Sequence, residues 1–553
     1  MIGFRSTGLL AATALMGGLL ASHPAAAQDA ATLQSIEAQI AKLQAQLRQL
    51  QRQAAEHDVE MRKAREETAA ARAEAQKAMQ QAAQPPVSAA TLAAPPGFVP
   101  PGSYPVYVPK PADPNKPNGS FSLGGVTVTL GGFTDLTVYD RSANQTRGTS
   151  TSFSGIPFAQ SPNSHVSEFG MTAQQTRLSL QAVGKVDDYS TITGYVESDF
   201  NNGAGGANSV QSNSYTPRLR QAYVKYDYTP WNSYVLAGQT WSLATLFKKG
   251  LSTGSEFTPG TIDSAYLPGV TYLRVPALRV VGSFPAAGQK VSVGLELDSP
   301  QTVIGGTAFT PANTTITTTN AGNGGLNPQT NYSLNVAPDI IAKGAVDTAF
   351  GHYELYGLGR FFADRVSGIG NGATNITTGG GIGAAMYVPV KTWFDIAGNI
   401  LYGYGIGRYG AGGMSDVTFT NNGSLEPLRE VMGYLGIIGH VTKKLDIYGY
   451  WGMDQLGSKY FNVGKNSFGY GNPAFSNAGC DIENSPLTCT GNNYELSGLT
   501  AGLSWKVLQG GFGNVAVGLQ YGYYERQAYR GTGGAPTGYE NEVFANVRYT
   551  PFN

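Results

Sequence analysis

The sequence predicts an all-β membrane protein, a 16-stranded antiparallel transmembrane β-barrel preceded by an N-terminal α-helical coiled coil. Three observations carry this. Short apolar/polar alternating runs recur from about residue 124 to the end. The links between them alternate between tight turns and long segments rich in Asn, Thr, Ser and Gly. The third is composition: charged residues make up 13%, against about a quarter in soluble domains, while Gly reaches 73 and Tyr 31 in 553 residues. A period of two gives each strand one apolar and one polar face. Runs of about ten residues that are never apolar throughout suit a wall with lipid outside and water inside.

The first element, residues 1–27, reads as a secretory signal. Arg5 precedes the apolar stretch Leu9 to Leu20, followed by Pro24 and the small-residue site Ala25-Ala26-Ala27. That apolar core is too short to span a bilayer, which takes about 20 residues. Export without a spanning helix, together with alternating strands, places the barrel in a bacterial outer membrane.

Residues 28–84 form the predicted coiled coil. Leu33, Ile36, Ile40, Leu43, Leu47 and Leu50 fall at alternating intervals of three and four, the a/d seam of self-associating helices, and an Ala-rich continuation follows. A symmetric homo-oligomer is its natural use. A second use is as a tether, the coil gripping the cell wall and the barrel acting as its anchor. Residues 85–117, with Pro95-Pro96, Pro100-Pro101, Pro109, Pro111, Pro114 and Pro117, form a semi-rigid extended spacer.

Residues 118–553 hold the barrel. Alternating runs lie near 126–139, 172–184, 189–200, 216–228, 233–241, 269–284, 289–298, 336–346, 350–362, 375–388, 393–409, 429–441, 444–455, 492–507, 512–527 and 538–552. Sixteen is even, as bacterial barrels require. Short links on one side define a periplasmic face, with both barrel ends and the coiled coil beside it. An even count requires Pro276 to sit inside a strand, as an edge or bulge residue. A bulge there would let Arg274 and Arg279, of opposite parity, point the same way.

Parity assigns Leu178, Leu180, Ile192, Val196, Ile447, Trp451, Val543 and Val547 to the lipid face and Arg177, Glu197, Asp199, Asp454 and Arg548 to the lumen. A barrel this wide keeps an aqueous channel, whose selectivity is set by charge at a constriction. The pore-lining candidates are Arg177, Arg218, Arg220, Arg274, Arg279 and Arg360, with Glu197 and Asp199. Guanidinium groups stay charged and pair with carboxylate or phosphate, so a ladder of them would guide anions. The alternative use of these arginines is cross-strand pairing that stiffens the wall. The segment Ser242 to Pro268 has apolar anchors and its own charges, and Lys248, Lys249, Glu256 and Asp263 are the candidates for a constriction if it folds inward.

Other chemistry is thinly represented. Formal net charge is zero, and no basic cluster suggests nucleic acid. Cys480 and Cys489, with eight residues between them, read as a loop-stapling disulfide in an oxidising compartment. They do not suggest a metal site, and no cofactor motif is apparent. Of five histidines only His165, His352 and His440 lie in the barrel region, with no spaced nucleophile motif, so an enzyme is not expected.

One stretch points further. Thr176-Arg177-Leu178-Ser179-Leu180, Gly194-Tyr195-Val196-Glu197-Ser198-Asp199-Phe200, Arg218-Leu219-Arg220-Gln221-Ala222-Tyr223-Val224 and Ala237-Gly238-Gln239-Thr240-Trp241-Ser242 together resemble the DcaP-like outer-membrane porins. The order of signal, coiled coil and barrel matches as well, and the first strand holds Gly131-Gly132-Phe133 and Asp135. The resemblance implies a trimeric 16-stranded porin for small, preferably anionic, organic solutes, with Arg177, Arg218 and Arg220 in the channel wall. Phosphate-type porins are similar in outline, but their basic run is reduced here to Lys248-Lys249. The chain also departs at its end, Pro551-Phe552-Asn553, where such barrels usually finish on an aromatic.

Overall fold

A computed structural model describes residue 44 and residues 119–552, apart from 202–209, 211, 308, 319–333 and 335. Apart from Gln44, the signal, coiled-coil and linker segments lie outside the described residues.

Sixteen strands form one closed antiparallel barrel. They are β1 (Val126–Arg141), β2 (Glu168–Thr172 and Arg177–Lys185), β3 (Ser190–Asp199), β4 (Arg218–Tyr228), β5 (Ser233–Trp241), β6 (Arg274–Ala286), β7 (Gln289–Asp298) and β8 (Asp339–Asp347). The second half comprises β9 (His352–Gly368), β10 (Asn371–Val390), β11 (Phe394–Tyr404), β12 (Arg429–His440), β13 (Leu445–Leu456), β14 (Asn493–Gly510), β15 (Gly513–Ala528) and β16 (Thr537–Thr550). Each pairs with its neighbours in sequence, and β16 closes on β1, with Arg548 opposite Asp135 and Glu542 opposite Arg141. Before β1, Ser120–Leu123 pairs with Val126 to Thr129, along the part of β1 that β16 does not reach.

The alternation in sequence becomes two faces. Leu178, Leu180, Ile192, Val196, Leu278, Val280, Ile447, Trp451, Val543 and Val547 are exposed on the outside. Their neighbours Thr193, Glu197, Asp199, Arg279, Tyr448, Asp454 and Glu542 are buried inside. Each of these Leu, Ile or Val side chains, already about half covered by its neighbours, gains on the order of 1 kcal/mol when hydrocarbon covers the rest. The short turns carry exposed aromatics, Tyr189, Trp231, Phe350, Trp393 and Phe512, which suit the interface between hydrocarbon and headgroups.

Two local readings change. The register between β5 and β6 runs unbroken from Ser233 opposite Gly282 to Trp241 opposite Arg274, so Pro276 marks no bulge. Pro276 tolerates its place because it sits near the start of β6, where its carbonyl accepts from Ser299 at 2.9 Å. The bulge lies in β4 instead: Glu197 faces Gln221 while Ser198 faces Leu219, leaving Arg220 as the extra residue. Arg220 and Gln221 are both buried as a result. The Thr/Asn/Gly-rich segment after residue 362, expected as a loop, is a continuation of β9 and β10 joined by a tight turn at Ile369-Gly370.

The long segments follow β1, β3, β5, β7, β11 and β13. L3 (242–273) matters most, because it runs inside the barrel. Leu243, Ala244, Phe247 and Leu251 pack with Leu236, Val281, Ile341, Tyr356, Leu401 and Met432. Further on, Phe257, Leu267 and Val270 pack with Tyr434, Tyr448 and Tyr450. L3 is pinned by wall side chains: Glu296 accepts from the Leu243 amide at 2.6 Å, Glu354 from Phe247 at 2.8 Å and Gln520 from Ile262 at 2.5 Å. The lumen beside β7 to β12 is thereby filled with protein.

Candidate functional site

Filling one side leaves space on the other, along β1 to β6 and β16. A cavity of about 440 Å³ lies there between wall and L3. The wall contributes Phe133, Arg177, Tyr195, Glu197, Arg218, Arg220, Trp241, Arg274 and Arg548. L3 contributes Glu256, Thr258 to Thr261, Asp263, Tyr266 and Tyr272. The cavity shares Ser150, Asn201, Arg218 and Tyr272 with one of about 660 Å³ under L1 (142–167) and L6 (405–428). It shares Gly260, Thr261 and Arg548 with a smaller space of about 60 Å³ toward β14 to β16. Common lining makes these one connected series.

The strands explain how the charges converge. Cross-strand pairing sets Asp199 opposite both Arg177 and Arg218. Arg218 grips Asp199 through Nε at 2.9 Å and Nη2 at 2.8 Å. The β4 bulge turns Arg220 inward to donate to Glu197 at 2.5 Å and Asp199 at 2.8 Å. Arg548 donates to Asp135 at 2.9 Å and lies 4.0 Å from the Phe133 ring centroid. Arg177 sits 3.9 Å from Glu197 and faces Phe133. Among the described residues Arg274 makes no ion pair; it stacks on Trp241 at 4.9 Å, and its Nε and Nη1 are buried without a hydrogen-bond partner.

Five guanidinium groups thus line the cavity, while their close carboxylate partners are Glu197, Asp199 and Asp135. L3 adds two carboxyls of its own to the lining, Glu256 and Asp263. Burial pushes Asp263 above the usual carboxylate range, with Arg141 opposing, and burial raises Glu256 too. The lining itself thus holds five guanidinium groups against the three carboxyls Glu197, Glu256 and Asp263, and Arg177 and Arg274 are its least paired cations.

This β-barrel has a close architectural counterpart. The crystal structure of the outer membrane channel DcaP of Acinetobacter baumannii superposes with a TM-score of 0.53, over 78% of this chain and 99% of that one, at 17% identity. The chain shares the fold of that channel. An anion-selective porin from Comamonas acidovorans matches at 12% identity and TM-score 0.40, over 77% of this chain and 99% of that one. OmpF of Salmonella typhi matches at 10% and 0.39, over 78% and 99%. No protein-family model and no curated protein sequence matches the chain.

Within this DcaP-type fold the candidates separate into two groups. Arg177, Glu197, Arg218, Arg220, Arg274, Glu256 and Asp263 line the cavity, with Asp199 directly behind. Arg279 and Arg360 do not, although parity assigns them inward. Arg279 is fully buried, donating to Glu296 and to the carbonyl of Trp241. Arg360 is clamped by Asp339 at 3.1 Å and Asp416 at 2.6 Å beneath L6. Arg360 thus ties L6 to the wall through Asp416, whereas Arg279 pairs within the wall with Glu296, the carboxylate that also holds the Leu243 amide of L3. Lys248 and Lys249 are exposed but line none of these cavities; Lys248 lies 5.8 Å from the Phe257 ring. Parity marked Arg548 as inward, whereas nothing in the sequence marked Tyr266 and Tyr272. Cys480 and Cys489 are joined within L7 (457–492), remote from the cavity lining.

Proposed function

We propose that the protein is a bacterial outer-membrane porin that lets small hydrophilic, preferably anionic, solutes diffuse through its water-filled channel, with L3 as the constriction. The single observation that carries the anion preference is the uncompensated guanidinium charge at the cavity, above all Arg274 with no carboxylate partner. A fixed positive charge beside low-dielectric walls raises the local concentration of anions. The apolar exterior with its aromatic turns supports insertion in lipid, and the DcaP-type fold supports a channel. We further propose a homotrimer, on the strength of the resemblance and of the a/d seam in residues 28–84, with that seam in the periplasm.

Reversal potential of the purified protein in a planar bilayer under a KCl gradient tests this reading. Anion preference is expected. A cation-preferring or non-conducting protein would reject it.

A further inference from the structure

The arginines at the cavity are not equivalent. Arg218 and Arg220 are saturated by Glu197 and Asp199, and Arg548 by Asp135. Their charge is answered within the wall, so binding a solute there would require breaking an existing pair. Arg274 has no such commitment. Trp241 covers one face of its guanidinium, and Nε and Nη1 are buried and unpartnered. Nη2, neither buried without a partner nor bonded, is left to the cavity.

Across the cavity L3 presents Tyr266 in a conformation that side chains rarely adopt, with φ at 66°. Its ring meets Tyr272 edge-on at 5.1 Å, and both tyrosines line the cavity together with Arg177, Arg220 and Arg274. Left-handed backbone at a tyrosine persists only where its surroundings enforce it. Here the enforcement sets an aromatic side chain in the same lining as Arg274, which, unlike Arg177 with Glu197 at 3.9 Å, has no ion pair among the described residues.

We propose that Arg274, with Tyr266 opposite, is the station that holds a permeating carboxylate, while Arg218 and Arg220 shape the wall. This deepens the anion-porin reading and rests on it. A flat carboxylate accepts from Arg274 at one edge and packs its body against Tyr266 and Tyr272. Arg274 is then the specificity-determining residue of the constriction.

Benzoate is the probe, added to the full-length protein in planar bilayers, with heat-modifiable gel migration confirming folded barrels. Wild type is expected to show concentration-dependent current block. Arg274→Gln should weaken that block at least tenfold and also reduce the anion-to-cation permeability ratio, since it removes one of the five guanidinium groups of the lining. Arg274→Lys keeps the charge without the flat stack on Trp241 and should fall between them; it also serves if the Gln variant does not fold. Tyr266→Ala should shorten the blocked dwell time several-fold. An anion-selective wild type that benzoate does not block, or blocks equally after Arg274→Gln, overturns this assignment alone. A cation-selective wild type overturns the porin reading beneath it as well.

Discussion

The carboxylate of Asp454 on β13 accepts the Gly269 amide at 3.0 Å, and that bond marks where L3 returns to the wall. Gly269 has φ at 84°, and a Cβ there would lie 2.0 Å from the Gly433 carbonyl oxygen. Gly269→Ala therefore combines left-handed strain of about 1–2 kcal/mol with a backbone clash. The barrel should still form, since its ladders are untouched, but L3 should detach. Single-channel conductance is expected to rise severalfold; a wild-type value would show that L3 does not limit flow.

Acidity should tighten the same loop. Asp263 and Glu256 are raised chiefly by burial, so docked L3 binds more protons than detached L3. For a carboxyl shifted upward, docking is fully favoured below the ordinary value of about 4 and weakens as pH rises toward the raised one. Positive charge at the cavity falls over the same window. Anion selectivity should therefore decline and open-channel noise grow as pH increases from 4. Asp263→Asn should flatten much of that dependence; an unchanged profile in the variant would refute it.

Glu197→Gln tests how far the wall pairs restrain the field. Removing this carboxylate leaves Arg220 with Asp199 alone and frees Arg177. The anion-to-cation permeability ratio should rise. Barrel stability should drop by about 2 kcal/mol, the scale of a charged hydrogen bond, seen as a lower heat-modification midpoint.

Opening the Cys480–Cys489 bond should act locally. A closed loop of about ten residues contributes about 2.5 kcal/mol in the chain-entropy description. Because the bond lies in L7, Cys480→Ser should speed protease nicking around residues 478–490 with conductance unaltered. Altered conductance would place L7 in the channel path.

Removing residues 28–117 separates channel from tether. A porin keeps conducting after this deletion, and the proposed trimer should dissociate more readily. Loss of conductance in folded barrels would show that the segment does more than join subunits.

The strands were readable because lipid outside and water inside force an alternation that no loop can erase. Boundaries such as 233–241 and 289–298 coincide with those of β5 and β7. The β4 bulge was hidden, since an extra residue at Arg220 changes pairing without altering the local pattern. The upper β9–β10 hairpin was hidden too: Arg365 pairs with Thr374 and Ser367 with Gly372, although both pairs lie between the runs 350–362 and 375–388. Parity could say that Arg279 and Arg360 point inward, but only tertiary structure shows that L3 and L6 occupy the space they point into. Arg274 was turned inward in the sequence by a bulge at Pro276 that the register lacks; it reaches the cavity instead as the first residue of its strand.

The pairing of Ser120–Leu123 beside β1 has its own consequence. Leu130 donates to the Gly119 carbonyl at 3.2 Å, and Gly119 is packed against Phe552 so tightly that a Cβ would come within 2.7 Å of that ring. Ring closure is thus a three-part zipper, in which the earliest strand stays unfinished along one edge until both its leader and the chain's last strand arrive. Hydrocarbon punishes each bare backbone group by several kcal/mol. Trimming residues 119–123 would expose that edge to lipid or to a neighbouring strand, so the leader works as a selvedge that keeps the woven wall from unravelling.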